Sequence, residues 1–213
     1  MATAVGKKFP DLNVDAMNEM GDTFKVNVLE EAVNNKKKVL LFWYPKDFTF
    51  VCPTELHAFQ AALGEFEKRN TIVIGASCDT PEVHFAWLST SKDNGGIEGV
   101  TYPILADSNR NLSSILGILD ITNETYDEAT GTVQVEGDNV TYRATYIIDE
   151  DGVVQHESIN NMPLGRNVGE YLRLVDALTH VQEKGEVCPA NWEEGKDAMS
   201  PNAKGTAEYL ASH

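Results

Sequence analysis

The chain has 213 residues, of which 42% are hydrophobic and 23% charged, an ordinary globular composition that excludes a disordered chain, a disulfide-dense scaffold and a membrane protein. Its formal net charge of -16 repels phosphates, which argues against nucleic acid and anionic membranes as partners and suits plain solubility. No stretch approaches the ~20 apolar residues of a spanning helix, and the segment from Met1 to Pro10 lacks the apolar core of a secretory signal, so a cytoplasmic location is expected.

In chain order, the basic run Lys36-Lys37-Lys38 is expected to be a solvated turn. Val39-Leu40-Leu41-Phe42-Trp43-Tyr44, closed by Pro45, predicts a central strand buried on both faces. Leu56, Phe59, Leu63 and Phe66 then recur at helical spacing, and Pro53 with Glu55 suits the first turn of a helix, which places Cys52 at its amino terminus. Thr71 to Ala76 predicts a second buried strand, followed by a helix from about Pro81 carrying Val83, Trp87 and Leu88. Such a β-α-β-α progression marks a mainly parallel sheet.

Thr101 to Leu105 predicts a short strand and Leu112 to Leu116 a short helix. Val133 to Val135 and Val140 to Tyr142 predict a hairpin around Gly137-Asp138, with the strand continuing through Ile147 and Ile148. Asp149 to Gly152 is a turn and Val153 to Ser158 a returning strand. Asn167 caps a helix with Tyr171, Leu174, Val175, Leu178 and Val181 on its buried side, and Gly185 ends it. The expected organisation is one domain over residues 1-185 and a weakly periodic tail over 186-213.

Three cysteines, Cys52, Cys78 and Cys188, are too few and too dispersed for a structural framework in a reducing compartment, which favours reactive thiols. Cysteine catalysis needs the thiolate, favoured where backbone N–H groups and the positive end of a helix dipole face the sulfur. Cys52 has that position, and Thr49, three residues earlier, offers a hydroxyl. Position alone leaves a small buried hydrophobe as the other reading. Cys78, just after a strand, is taken as structural. The five histidines show no zinc-ligand spacing, so no metal is expected.

The segment Tyr44-Pro45-Lys46-Asp47-Phe48-Thr49-Phe50-Val51-Cys52-Pro53-Thr54-Glu55, with Pro-x-x-x-Thr-x-x-Cys at 45, 49 and 52, resembles the active-site signature of the typical two-cysteine peroxiredoxins. Arg143 to Asp149 is similar to that family's arginine strand, Pro163-Leu164-Gly165-Arg166 to its second arginine loop, and Gly185 to Trp192 to its resolving-cysteine motif. Within the family the chain looks like the bacterial alkyl hydroperoxide reductase C group.

The resemblance implies an α/β thioredoxin-like fold, a central mixed sheet flanked by helices, with an extended tail. It also implies a peroxidase acting on hydrogen peroxide, organic hydroperoxides and peroxynitrite. Cys52 would be the peroxidatic cysteine and Cys188 the resolving one, on a partner subunit. Arg143 would stabilise the thiolate and polarise the peroxide, Thr49 would hydrogen-bond it, Pro45 would shield the intermediate, and Glu55 and Arg166 would support them. The family pattern implies a homodimer, commonly assembled as a decamer (a pentamer of dimers). It also implies recycling by thioredoxin or a flavoprotein disulfide reductase, since the chain has no Cys-x-x-Cys or Gly-x-Gly-x-x-Gly of its own, and no bound cofactor.

The sequence departs from the pattern in an acidic, Thr-rich stretch, Ile121 to Val140, expected to form an extended surface hairpin. Gly95-Gly96-Ile97-Glu98-Gly99 matches the family's Gly-Gly-Leu-Gly only in part, and Tyr209-Leu210 stands where overoxidation-sensitive relatives have Tyr-Phe. The competing functions are a holdase chaperone, which overoxidised decamers of relatives become, and a general thiol–disulfide oxidoreductase, against which the missing Cys-x-x-Cys argues.

Overall fold

The computed structural model describes residues 3–213. The chain divides into two compact units, Met1–Arg166 and Asn167–His213. The first is built on strands β1 (Asn13–Met17), β2 (Thr23–Asn27), β3 (Lys38–Trp43), β4 (Thr71–Ser77), β5 (Ile104–Ala106), β8 (Arg143–Ile148) and β9 (Val154–Asn160), ordered β2-β1-β5-β4-β3-β8-β9 in one seven-stranded sheet. Its helices are α1 (Val28–Asn35), α2 (Cys52–Ala61), α3 (Leu63–Lys68), α4 (Pro81–Leu88) and α5 (Asn111–Leu116). This is the thioredoxin-like α/β fold. The sheet is mixed rather than mainly parallel: β3, β4 and β5 run parallel, but β8 and β1 join them antiparallel.

All six residues of β3 are buried, as a continuous apolar run requires of a strand covered on both faces. Its alternation sorts the core into two layers. Val39, Leu41 and Trp43 share one layer with Ala144, Tyr146 and Ile148 of β8 and with Val28 and Ala32 of α1. Phe42 points the other way, where its ring stacks on Phe59 of α2 at 4.0 Å and meets Tyr102 edge-on at 5.7 Å. Because β8 alternates too, Arg143 and Thr145 fall opposite Ala144 and Tyr146 and share the α2 face.

Several expectations need correction. Lys38 is no solvated turn: its side chain is 4% exposed and its ammonium lies 2.9 Å from Glu150 Oε1. Only Lys36, in left-handed backbone at φ 52°, and Lys37 form the exposed turn. The hairpin is built differently as well. β6 (Asn123–Asp127) pairs with β7 (Thr132–Glu136), and the Asp127 carboxylate takes the Ala129 N–H and the Thr130 hydroxyl in the turn, which Gly131 closes at φ +68°. Val140 to Tyr142 lies outside this ribbon: Thr141 bridges Leu119, and its buried hydroxyl donates to the Tyr44 carbonyl at 3.0 Å. As expected, β6 and β7 lie on the surface, nearly every residue exposed.

In the second unit, Asn167 caps α6 (Val168–Lys184) by accepting from the Gly169 N–H, and Gly185 ends it at φ 67°. Tyr171 and Val175 are buried there, whereas Val181, expected on the buried side, is 41% exposed. The tail holds a further helix, α7 (Ala203–Ser212), capped by Asn202. It has no buried residue, so its sequence carries no apolar stripe to announce it. No helix among the described residues is long and apolar enough to cross a membrane.

Candidate active site

Cys52 is the first residue of α2, with Pro53 beside it, as the sequence predicts. It is fully buried at the helix amino terminus, where the positive end of the helix dipole favours negative charge. Glu55 lies one turn on along the same face and is buried too. Across the sheet face, β8 opens with Arg143, whose Nη1 donates both to Cys52 Sγ at 3.4 Å and to Glu55 Oε2 at 2.6 Å. Its Nε donates to the Met162 carbonyl at 2.6 Å, fixing the plane of the guanidinium.

Arg166 completes the cluster from the loop after β9. Its backbone N–H and Nε both reach Glu55 Oε1 at 2.9 Å, and Nη2 reaches Oε2 at 2.8 Å. Nη1 donates to the Ala144 carbonyl and the Thr145 hydroxyl, while the guanidinium lies over the Phe42 ring at 5.1 Å. Burial pushes the Glu55 carboxyl up, but the Arg166 hydrogen bonds and the charges of Arg166 and Arg143 outweigh it and hold it below its ordinary range. One carboxylate against two guanidiniums leaves a net positive charge beside the sulfur, matched to a thiolate.

The structure thus brings together four of the residues singled out from sequence: Cys52, Glu55, Arg143 and Arg166. Pro45 is buried at the start of the loop that leads to Cys52. Thr49, half-buried in that loop, donates its hydroxyl to the Lys46 carbonyl at 2.8 Å. Its lone pairs remain for a second partner. The role of the Met162 carbonyl was not legible, because a backbone group leaves no residue-type signal.

Cys188 belongs to the second unit, half-buried, its thiol 3.7 Å from the Ala177 carbonyl. Burial raises its pKa, Arg173 opposes that rise and Glu186 adds to it. Cys78 is buried with its sulfur 3.7 Å from Ser113 Oγ, and burial pushes its thiol up to about 11. A thiol so disfavoured as thiolate is a poor nucleophile near neutral pH. All three cysteines are free. No group of histidine, cysteine and carboxylate side chains arranged to hold a metal ion occurs among the described residues.

Comparison with known proteins agrees with this geometry. Residues 5–157 match the AhpC/TSA family and residues 177–212 match the C-terminal domain of 1-Cys peroxiredoxin. The chloroplastic 2-Cys peroxiredoxin BAS1 of Hordeum vulgare is 39% identical over 98% of this chain and 90% of its own length. The alkyl hydroperoxide reductase C of Helicobacter pylori is 40% identical, covering 97% and 96%. The crystal structure of reduced Plasmodium vivax 2-Cys peroxiredoxin superposes with a TM-score of 0.87 at 38% identity, over 99% of this chain and 100% of that one. A buried cysteine held against an arginine at a helix start, on this fold and among these relatives, has one reading: the chain belongs to the AhpC/TSA family and is a typical 2-Cys peroxiredoxin, a thiol peroxidase that reduces peroxides.

Proposed function

We propose that Cys52 is the peroxidatic thiol, acting on hydrogen peroxide, small organic hydroperoxides and peroxynitrite. The single observation that carries this reading is Arg143 Nη1 at 3.4 Å from Cys52 Sγ while Glu55 holds the same nitrogen. The thiolate attacks one peroxide oxygen, the O–O bond breaks, and the sulfur is oxidised to sulfenic acid as the other oxygen leaves as water or alcohol. Arg143 is the donor for the negative charge that passes from sulfur to the leaving oxygen. Thr49 hydrogen-bonds the peroxide, Pro45 keeps water from the intermediate, and Glu55 with Arg166 holds Arg143 in place.

The sulfenic acid then condenses with Cys188 of a partner subunit, expelling water and leaving a disulfide. An external dithiol, thioredoxin or a flavoprotein disulfide reductase, returns both thiols by exchange. This cycle needs a homodimer, assembled further into a decamer, and no bound cofactor. We place it in the cytoplasm, where reduced thiols persist, although the Hordeum vulgare relative is a chloroplastic protein.

A second route is favoured by the match of residues 177–212 to a C-terminal domain of 1-Cys peroxiredoxin: direct reduction of the Cys52 sulfenic acid by an outside thiol. Peroxide consumption by wild type, Cys52→Ser, Cys188→Ser and Cys78→Ser, with non-reducing electrophoresis after one equivalent of peroxide, separates them. The two-cysteine cycle requires Cys52→Ser to be inactive, Cys188→Ser to lose the dimer-sized band and Cys78→Ser to resemble wild type. Full turnover of Cys188→Ser with thioredoxin as sole reductant establishes the one-cysteine route instead. Wild-type consumption by Cys52→Ser overturns the assignment.

A further inference from the structure

The loop between β3 and Cys52 is held at both ends by buried, hydrogen-bonded side chains. Its downstream end is the Glu55 cluster already described. Its upstream end is a separate cluster that touches none of the reacting atoms. There the Tyr44 hydroxyl donates to Asp47 Oδ1 at 2.7 Å, and His84 Nδ1 of α4 lies 2.7 Å from Asp47 Oδ2, both side chains of that pair being 0% exposed. His84 Nε2 faces the Leu105 carbonyl at 3.1 Å, and since a carbonyl only accepts, that nitrogen carries a hydrogen. The Asp47 backbone N–H also donates to Asp79 Oδ2, which the Ser77 hydroxyl holds in turn.

Between the two clusters the chain is tied loosely. Phe50 is 95% exposed, and Phe48, directly after Asp47, sits at φ 54°, the left-handed region that a bulky side chain avoids. The ring of Phe48 is half exposed and 5.9 Å from Trp87. Strain is therefore stored at the first residue beyond the upstream cluster.

We propose that Asp47 and His84 form the upstream clamp of the catalytic loop, a positioning pair that holds the loop closed and makes Asp47 the pivot when residues 48 to 55 unwind to release Cys52. This rests on the reading that Cys52 must leave its pocket to meet a second thiol, because two sulfurs bond only at ~2 Å. While the loop is closed, a second peroxide can oxidise the sulfenate to sulfinate, its O–O bond breaking to give water or alcohol. Once it is open, the resolving thiol can reach the sulfenic acid instead. The clamp therefore sets the partition between the two outcomes without touching peroxide.

Hydrogen exchange of the reduced full chain tests the clamp independently of any peroxide chemistry. In Asp47→Asn and His84→Gln, amides 48 to 55 are expected to exchange about ten-fold faster than in wild type while β3 and β4 keep their protection. Val39→Ala, which weakens the opposite layer of the core, should show no such selective change. Phe48→Asn, an exposed substitution by a residue that tolerates positive φ, should slow exchange in the same segment. Unchanged exchange at 48 to 55, or a rise only in step with β3 and β4, overturns the clamp, and faster exchange in Phe48→Asn overturns the stored strain. A peroxide titration with mass spectrometry supplies the second readout: the ratio of Cys52 sulfinate to disulfide should fall roughly five-fold in the clamp variants. An unchanged ratio in a wild type that does form the disulfide also overturns it. A wild type that forms no disulfide refutes the two-cysteine cycle and leaves the exchange result to decide the clamp.

Discussion

At the scale of the residue, the chemistry turns on one nitrogen, Nη1 of Arg143, shared between Cys52 and Glu55. Lysine keeps the charge but not the planar fork that binds Glu55, the sulfur and the Met162 carbonyl together. Arg143→Lys should lower the second-order rate of Cys52 oxidation by about 10²-fold, the loss typical of a preorganised donor to developing charge. Stopped-flow tryptophan fluorescence against peroxide concentration checks it, and a rate within about three-fold of wild type would remove Arg143 from the reacting centre.

Cys78 makes the opposite case, a thiol used for packing. Its pKa in the folded chain, about 11 against an ordinary 9.0, is raised by burial, so the neutral form is the one the fold prefers. The resulting stabilisation is complete below the unfolded-state pKa and is lost as pH rises from there through 11. Between pH 8 and 10, wild type should therefore lose more stability than Cys78→Ala, whose absolute stability is lower throughout because a buried side chain has been truncated. Urea unfolding midpoints at about pH 8, 9 and 10 measure the difference directly. Parallel curves for the two proteins would place the Cys78 sulfur in contact with solvent.

At the scale of the element, what the sequence revealed follows how the signal is carried. β3 and β4 are apolar runs and were legible as such; α2 was legible because Leu56 and Phe59 recur at helical spacing and Pro53 marks its start, but the same spacing runs on through Leu63 and Phe66 and hides the break at Ala62 where α3 begins. The N-terminal β1, β2 and α1 passed unnoticed. Each strand has five residues of mixed polarity, so the period-2 alternation is too brief to stand out. The overlooked signal for α1 was Asn27 followed three residues later by Glu30, whose N–H the Asn27 side chain caps. In the active site, the side-chain partners were legible through a resemblance that names residue types. The His84–Asp47 pair was not, because residues 37 positions apart meet only once α4 packs on the sheet.

The misplaced hairpin belongs to the same lesson. Two glycine turns compete, at Gly131 and Gly137, and the Asp127 side-chain bonds that decide for the first are invisible in a hydropathy pattern. A two-stranded ribbon is marginal on its own, and β6 and β7 bury almost nothing. Replacing residues 122 to 138 by a short glycine-serine turn should leave the unfolding midpoint and the rate of Cys52 oxidation within about two-fold of wild type, as for any exposed loop change. A large loss of stability would mean that the ribbon braces Tyr142, whose hydroxyl donates to Asp120 at its base.

At the scale of the whole molecule, two fields of opposite sign meet. The surface carries the excess of a chain with formal net charge -16, whereas the buried centre sets two guanidiniums against one carboxylate. Hydrogen peroxide is uncharged and feels neither field at a distance, so its rate constant should be flat with ionic strength. A hydroperoxide bearing a carboxylate must first cross the acidic exterior, which at low salt reaches well beyond contact range and at ~0.1 M is confined to about 10 Å. Its rate constant should therefore rise several-fold between about 10 and 300 mM salt, the reverse of the attraction expected from the arginines alone. Stopped-flow rates for both substrates across that range test the balance. If the carboxylate-bearing substrate slows as salt is added, the positive charge of Arg143 and Arg166 projects past the acidic shell and steers anions in, and the exterior charge serves solubility without screening substrates.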